Sequence, residues 1–223
     1  SGEQRWEFEP AGYLSSAPAL VDGTLYFGTW GKQFYALDAE SGDVLWNKEI
    51  GHRFGSSSPA VVDGTVYVGS YGDGPLVVSG SEDEEEFEAP AMFALDAESG
   101  EIQWRYEQFG DRSQIGSSTA VADGRVYFGA EETVYALASG TGDEVWTRNV
   151  PSHPDSSPAV VDGTVYYGGP TLSDSGPPAQ LTALDAASGD TNWTADLEDI
   201  SLRSSPAVAD GTVYVAASSR RVC

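Results

Sequence analysis

The stretch SSPAVVDGTVYVG at residues 57–69 decides the fold, because nearly the same sequence occurs four more times in the chain. Close copies stand at 157–169 (SPAVVDGTVYYGG) and 205–217 (SPAVADGTVYVAA), and looser ones at 16–29 (SAPALVDGTLYFGT) and 118–130 (STAVADGRVYFGA). Self-similarity at a spacing of a few tens of residues is the signature of a repeat architecture. A phrase used five times indicates structure rather than a catalytic site, so function has to be sought in residues that are not repeated.

Each copy of the phrase contains an Asp-Gly pair between two short runs rich in valine and tyrosine. The pairs are Asp22-Gly23, Asp63-Gly64, Asp123-Gly124, Asp162-Gly163 and Asp210-Gly211. Asp-Gly between β-prone runs predicts a two-residue hairpin with a type I′ turn, which needs positive φ at both residues. We therefore interpret these residues as turn formers, not as metal ligands or catalytic acids.

Two further strand-like runs complete each repeat, as in FYALDAES (34–41) and DVLWNKEI (43–50), with Ser-Gly or Thr-Gly between them as a second turn. Four short antiparallel strands per repeat, with no helical periodicity, predict an all-β fold of four-stranded β-propeller blades. We predict a single domain over residues 1–223, with repeats near 15–50, 57–108, 117–150, 156–197 and 204–223.

A longer pattern, A-x-D-x-x-[ST]-G-x-x-x-W, spans the second turn in four repeats. Its copies are ALDAESGDVLW (36–46), ALDAESGEIQW (94–104), ALASGTGDEVW (136–146) and ALDAASGDTNW (183–193), the third of which has Ala138 in place of the aspartate. This pattern resembles the tryptophan-docking motif of PQQ-type β-propeller repeats, the family of quinoprotein dehydrogenases and BamB-like proteins. The resemblance implies buried docking tryptophans between blades, here Trp46, Trp104, Trp146 and Trp193.

The two ends of the sequence are out of phase with the repeat. RWEFE (5–9) resembles the fourth strand of a repeat, with Trp6 in the docking position. At the other end, TVYVAASSRRVC (212–223) aligns with TLYFGTWGKQFY (24–35), so the fifth copy stops within its third strand. We therefore predict about five blades, with residues 5–9 as a possible closing outer strand. The blades would form either a closed five-bladed ring or an arc of the seven- or eight-bladed propellers that the resemblance implies.

The charge is strongly unbalanced, with 35 acidic against 11 basic side chains and a net charge of −24. Molar salt shortens the Debye length to about 3 Å and removes most of the resulting self-repulsion, so the composition predicts a halophilic source, which we expect to be an archaeon. Nucleic acid is not expected as a partner at this charge. The densest acidic run, SEDEEEFE (81–88), lacks the spacing and central glycine of an EF-hand, so we predict a solvated loop and no metal site.

The unrepeated residues lie in insertions at 70–91 and 169–180 and in the connections between repeats. We predict that cationic side chains in these connections ring the mouth of the propeller channel: His52, Arg53, Arg112, His153 and Arg203. Such a rim would attract a small anionic ligand or an acidic peptide. The alternative is that the arginines form surface ion pairs with neighbouring acids such as Asp111, Asp155 or Glu198.

These observations favour a non-catalytic scaffold that binds a protein or an anionic ligand on its loop-rich face, without cofactor or catalytic residue. The alternative that the resemblance raises is a PQQ-dependent dehydrogenase, which implies a quinone with calcium, a catalytic aspartate and, in several members, a vicinal cysteine pair. The chain has one cysteine, Cys223. A hydrolase or lyase built from His52, His153 and Asp155 has suitable residue types but no nucleophile motif.

Sequence signals for a cellular location are few. No apolar run is long enough to span a membrane, and SGEQRWEFEP at the start lacks the charged region and apolar core of a signal peptide. The resemblance to BamB-like proteins leads us to expect an extracytoplasmic or cell-surface location. The oligomeric state is left open at this stage.

Overall fold

The computed structural model describes residues 2–55, 57–72, 89–109, 115–150, 156–169, 179–197, 200–202 and 204–219. These residues form 20 β-strands and no helix, so nothing in this part of the chain provides an apolar helix that could cross a bilayer. The chain divides by compactness into two units, Ser1–Ile115 and Gly116–Cys223.

The first unit contains two antiparallel sheets, and each is a meander of four strands that follow one another in the sequence. The first sheet consists of β1 (Ala19–Val21), β2 (Thr24–Gly28), β3 (Gln33–Asp38) and β4 (Val44–Glu49). The second consists of β5 (Ala60–Val62), β6 (Thr65–Gly69), β7 (Met92–Asp96) and β8 (Ile102–Tyr106). The four-stranded repeat predicted from the sequence is therefore confirmed for the first two copies.

The second unit repeats the same meander twice and then departs from it. Its full sheets consist of β9 (Ala120–Ala122), β10 (Arg125–Ala130), β11 (Thr133–Ala138) and β12 (Glu144–Asn149), and of β13 (Ala159–Val161), β14 (Thr164–Gly169), β15 (Ala179–Asp185) and β16 (Thr191–Leu197). In the fifth repeat, β18 (Ala207–Ala209) pairs with β19 (Thr212–Tyr214), and β17 (Ile200–Leu202) pairs with β20 (Ala217–Ser219).

The first turn of every repeat has the geometry that its Asp-Gly pair predicts. The five aspartates have φ between 47° and 49°, and each following glycine also has positive φ. In the first copy Val21 pairs with Thr24, so that Asp22 and Gly23 form a two-residue hairpin loop. A type I′ turn needs left-handed backbone at both positions, which Asp and Gly adopt at little cost. The five aspartates are turn residues, as predicted.

The hydrophobic core of each unit lies between neighbouring sheets. In the first unit, Tyr26 and Phe34 of one sheet cluster with Val66, Phe93 and Leu95 of the next. The second unit buries an equivalent set, in which Tyr127, Val134 and Ala136 face Val165 and Leu184. Burial of apolar surface is the main favourable contribution to folding, so each repeat depends on its neighbour for stability.

The segment before the first repeat, residues 5–9, was predicted as a possible closing outer strand, and it is not a strand in the structure. A strand requires a hydrogen-bonded partner ladder, and within the first unit this segment instead contributes side chains to the first sheet. The Phe8 ring lies edge-on to the rings of Phe27 and Tyr35, with centroid distances of 6.2 and 5.5 Å. Trp6 joins the same cluster.

Candidate functional site

The tryptophans at the end of the repeated motif hydrogen-bond to the backbone of the following repeat. The indole Nε1 of Trp46 donates to the carbonyl oxygen of Ala97 at 3.0 Å, and that of Trp146 donates to Ala186 at 3.0 Å. Trp6 makes the same bond to Ala39, also at 3.0 Å. The three acceptors occupy one position, the alanine that follows Leu-Asp in the motif. The motif therefore supplies both the donor of one repeat and the acceptor of the next.

A tyrosine of the second strand shares the same acceptor. The phenol of Tyr26 donates to the Ala97 carbonyl at 3.3 Å, and the phenol of Tyr127 donates to the Ala186 carbonyl at 3.1 Å. Burial raises the pKa of Tyr127, so its hydroxyl remains a proton donor at neutral pH. Each of these carbonyls thus accepts two hydrogen bonds from the preceding repeat, which satisfies both of its lone pairs.

The glycine of the second turn provides the surface on which the tryptophan ring lies. A Cβ added to Gly100 would be 2.6 Å from the Trp46 ring, and a Cβ on Gly189 would be 2.7 Å from the Trp146 ring. Gly42 stands in the same relation to Trp6. These glycines also have positive φ, so the motif requires glycine for two separate reasons.

Trp193 differs from the implied pattern. It is 41% exposed, whereas Trp104 and Trp146 are 9% and 8% exposed. The implied buried docking position is therefore not realised at Trp193. The docked tryptophans Trp46 and Trp146 contact the alanine carbonyl and the glycine of the motif that follows each of them.

The aspartate of the motif is used within its own turn. The Oδ1 atom of Asp96 accepts hydrogen bonds from the backbone N–H of Glu98 and from the N–H and hydroxyl of Ser99, at 3.2, 2.8 and 2.8 Å. Asp38 and Asp185 accept equivalent backbone bonds. These bonds favour the ionised form, so the Ser99 hydroxyl lowers the pKa of Asp96, and serine backbone N–H groups lower the pKa of Asp38 and Asp185.

Replacing Asp96 by alanine should reduce the free energy of unfolding at pH 7 by about 1 kcal/mol, the usual size of a lost side-chain cap. Because the folded-state pKa is lowered, the contribution of this carboxylate is present above its unfolded value of 3.8 and is lost as the pH falls through the folded value. Urea unfolding between pH 2 and pH 7 should therefore show a weaker acid dependence in Asp96→Ala than in the wild type. The third repeat provides the control, because it has Ala138 in place of the aspartate, and Ala138→Asp should increase the free energy of unfolding at pH 7. Equal pH profiles for the wild type, Asp96→Ala and Ala138→Asp would contradict a stabilising role of the motif aspartate.

The two serines that open the repeated phrase fix the start of each first strand. The first serine bonds to the end of the second strand of its own repeat, as in Ser156, whose hydroxyl donates to the Gly168 carbonyl at 2.6 Å and accepts from its N–H at 2.7 Å. The second serine reaches the preceding repeat, where Ser157 Oγ accepts the N–H of Ser118 at 2.9 Å. Ser58 accepts the N–H of Ala17 in the same way, at 3.1 Å.

Three of the connections between repeats are each anchored by one fully buried apolar side chain. Phe54, Ile115 and Leu202 pack directly against the backbone at the end of a second strand, and a glycine stands at each contact point because any Cβ would collide. The contacted glycines are Gly28, Gly69 and Gly168. Arg53, which precedes the anchor Phe54, therefore has a fixed backbone position, and its carbonyl is held by a hydrogen bond.

The predicted cationic rim is only partly within the described residues. Arg112, His153 and Arg203, together with Asp155, lie outside them. Arg53 precedes the anchor Phe54 and is partly exposed. Its carbonyl accepts the N–H of Tyr71 at 2.8 Å, and the two residues form an antiparallel bridge.

His52, another residue of the predicted rim, is buried, with 2% of it exposed. Its Nδ1 lies 3.2 Å from the hydroxyl oxygen of Ser70, and its ring is edge-on to Phe93 at a centroid distance of 4.9 Å. The Ser70 hydroxyl also donates to the Ala91 carbonyl and accepts the Ala91 N–H. His52 therefore belongs to the packed interior of the first unit, where it helps to hold its own connection in place.

Sequence reasoning missed an aromatic pair formed by Trp30 and Tyr71, whose ring centroids are 5.5 Å apart. A signal was available, because TWG at 29–31 and SYG at 70–72 occupy the same place after the second strand in the first two repeats. Neighbouring repeats with an aromatic residue at one position bring the two rings together. The Trp30 indole Nε1 donates to Ser15 Oγ at 2.9 Å.

The polar side chains of the motif, and the indole of Trp30, take part in contacts of the fold. The motif aspartates are engaged in their own turns, Trp46 and Trp146 donate to backbone carbonyls, and Trp30 donates to Ser15. Among the described residues, no three His, Cys, Asp or Glu side chains are grouped so as to hold a metal ion. The single cysteine of the sequence also provides no vicinal pair.

Solved structures resemble the chain over nearly its whole length. BamB from Moraxella catarrhalis has a TM-score of 0.68 and 21% identity, over 93% of this chain and 60% of that protein. The quinohemoprotein alcohol dehydrogenase from Comamonas testosteroni has a TM-score of 0.65 and 18% identity, over 93% of this chain and 40% of the enzyme. The quinohemoprotein alcohol dehydrogenase ADHIIG from Pseudomonas putida HK5 has a TM-score of 0.66 and 20% identity, over 95% and 39%.

At these identities the likeness shows the fold, a β-propeller with about five blades in this chain. The chain spans 60% of the BamB structure and about 40% of each enzyme. No curated protein matches the sequence significantly. The family model for outer membrane protein assembly factor BamB matches residues 1–131 and 130–223, which together are the whole chain. The chain therefore belongs to the BamB family of PQQ-repeat β-propellers.

Proposed function

We propose that this chain is a non-catalytic binding domain that recognises a partner protein, or a small anionic ligand, through the loops and connections between its blades. The observation that carries the proposal is that the repeated side chains hold the repeats together. Motif tryptophans and aspartates and the paired serines are engaged in contacts within and between repeats. The repeats thus supply a rigid frame, and binding is left to the residues that vary, which lie on the connections.

The family supports the choice of a protein as the partner. The matching model is that of an outer membrane protein assembly factor, and BamB itself is among the structures that the chain resembles. The same membership supports an extracytoplasmic location for this chain. The net charge of −24 supports a salt-rich setting, in which repulsion between the acidic side chains is screened.

The competing function is that of a quinone-dependent dehydrogenase, which the resemblance to two quinohemoprotein alcohol dehydrogenases favours. Titration of the purified chain with PQQ and Ca²⁺ separates the two functions. We expect no saturable change in the quinone absorbance and no dye-linked oxidation of primary alcohols. Stoichiometric binding of PQQ would overturn the proposed function. A PQQ-dependent alcohol dehydrogenase under the same conditions shows that the assay detects binding.

A further inference from the structure

In each of the first two repeats, a backbone hydrogen bond ties an aromatic residue after the second strand to the segment that precedes the repeat. The backbone N–H of Trp30 donates to the Tyr13 carbonyl at 3.0 Å, and the N–H of Tyr71 donates to the Arg53 carbonyl at 2.8 Å. In each repeat, the residue that follows the second strand by two positions is therefore tied to the connection that enters that repeat. Tyr13 and Arg53 are equivalent in this respect, as are Trp30 and Tyr71. We call these four residues the aromatic platform.

The platform is built by specific contacts rather than by chance proximity. The Tyr71 ring lies so close to Gly55 that any Cβ at that position would collide with it. On its other side it meets the Trp30 ring, at a centroid distance of 5.5 Å and an angle of 35°. The bond from the Trp30 indole to Ser15 Oγ holds the second ring in place. Both rings are therefore oriented before any partner arrives.

The platform is also accessible and carries a cation. Tyr13 is 84% exposed and Trp30 is 37% exposed, so a partner can reach both side chains. Arg53 and Tyr71 are directly opposite in an antiparallel bridge, so their side chains project to the same face. A guanidinium therefore accompanies the rings in a protein that has only 11 basic residues against 35 acidic ones.

We propose that the aromatic platform binds an extended peptide segment of a partner protein in which an apolar side chain stands next to a carboxylate. The proposal rests on the proposed function and specifies the place and chemistry of recognition. Trp, Tyr and Arg are the residues that contribute most to protein interfaces, because they bury large surfaces with few rotatable bonds and offer polar contacts at their tips. The Arg53 guanidinium matches a carboxylate in charge and in the geometry of its donors.

Two features favour a peptide over a small molecule or a sugar. A side chain as exposed as Tyr13 cannot form the wall of an enclosing pocket, which is what most small-molecule sites require. The Trp30 and Tyr71 rings are inclined by 35°, so they form a shallow wedge rather than one flat floor for a sugar ring. We expect a single phenylalanine or leucine side chain of the peptide to pack on the exposed part of Trp30. The neighbouring Arg53 then selects an acidic residue beside it.

The experiment is selection from a phage library of random linear heptapeptides on the intact chain in molar KCl. We expect enrichment of peptides that combine Phe, Leu or Trp with an adjacent Asp or Glu. The best peptide and its amide analogue, with Asn or Gln for the acid, are then measured by fluorescence anisotropy. Trp30→Ala should weaken both at least tenfold. Arg53→Gln should weaken the acidic peptide about tenfold and leave the amide analogue unchanged.

Two variants with matched chemistry serve as controls. Tyr214→Ala removes an aromatic side chain that is exposed elsewhere, and Arg105→Gln removes an exposed cation on an outer strand. Both should bind like the wild type. Thermal unfolding of all variants verifies that they are folded. If Arg53→Gln is poorly folded, Arg53→Lys replaces it, and this variant should bind the acidic peptide with intermediate affinity. No enrichment, enrichment of peptides without the acid, or binding that survives Trp30→Ala would each overturn the platform. Such a result does not affect the proposed function, because that proposal is overturned by binding of PQQ and not by the peptide experiment.

Discussion

Trp146→Ala is expected to lower the free energy of unfolding by about 3–5 kcal/mol, the range for removing a large buried aromatic side chain. Trp146 is 8% exposed, donates to the Ala186 carbonyl and lies against Gly189. Its removal leaves a cavity between two blades and deprives a buried carbonyl of one of its two donors. Urea unfolding in molar KCl, followed by far-UV circular dichroism, measures the change as a shift of the midpoint.

The matched control for this substitution is Trp193→Ala in the neighbouring repeat. Trp193 ends the same motif but is 41% exposed, so its loss should cost less than half as much. Equal losses in the free energy of unfolding at the two positions would contradict the view that contacts with the following motif make the tryptophan stabilising. A third variant, Trp146→Phe, keeps most of the ring and removes the indole donor, and should cost about 1 kcal/mol for the hydrogen bond.

The glycine on which the Trp146 ring lies is tested by comparing two glycines that have similar backbone conformations. Gly189 has φ +75° and Gly163 has φ +72°, so alanine is strained to the same extent at both. A Cβ at Gly189 would lie 2.7 Å from the Trp146 ring, while nothing lies within 4 Å of one at Gly163. Gly189→Ala should therefore destabilise more than Gly163→Ala, and the difference measures the loss of docking. In the background of Trp146→Ala that difference should disappear.

The repeat itself was predictable because its signals are local. Asp63 and Gly64 specify a turn from backbone sterics alone, whatever surrounds them, and the φ values agree with that prediction. The alternation of turns with valine- and tyrosine-rich runs then determines a four-stranded meander. The resemblance to the PQQ-repeat family came from the tryptophan motif, and the family model matches the whole chain.

The prediction was less good where a side chain depends on distant residues. His52 has the residue type of a ligand-binding group, but its burial is decided by Ser70 and Phe93, which lie in other elements. Trp193 matches the motif in sequence, yet its exposure depends on a following motif rather than on its own neighbours. The pair of Trp30 and Tyr71 is visible only when two repeats are aligned and their loops are placed on neighbouring blades. Repeat position thus carries more information about function than residue type does.

The salt dependence of stability should be the largest effect of solution conditions on this protein. The net charge is −24, and compact folding brings the 35 acidic side chains closer together than they are in the unfolded chain. Raising KCl from 0.1 to 2 M should increase the free energy of unfolding by at least about 2 kcal/mol, because the Debye length falls from about 10 Å at 0.1 M to about 3 Å at 1 M. Most of the gain should occur below about 1 M, where the screening length changes fastest. Urea unfolding at a series of KCl concentrations measures it.

A charge variant separates this screening from a general strengthening of hydrophobic contacts by salt. Glu40, Glu98 and Glu101 are exposed at second turns, and replacing all three by lysine makes the net charge less negative without touching the cores between sheets. The variant should be more stable than the wild type at 0.1 M KCl, equal to it at 2 M, and less dependent on salt throughout. Parallel salt curves for the two proteins would show that salt acts on apolar burial instead. In that case, the acidic surface would not be the reason that the fold needs salt.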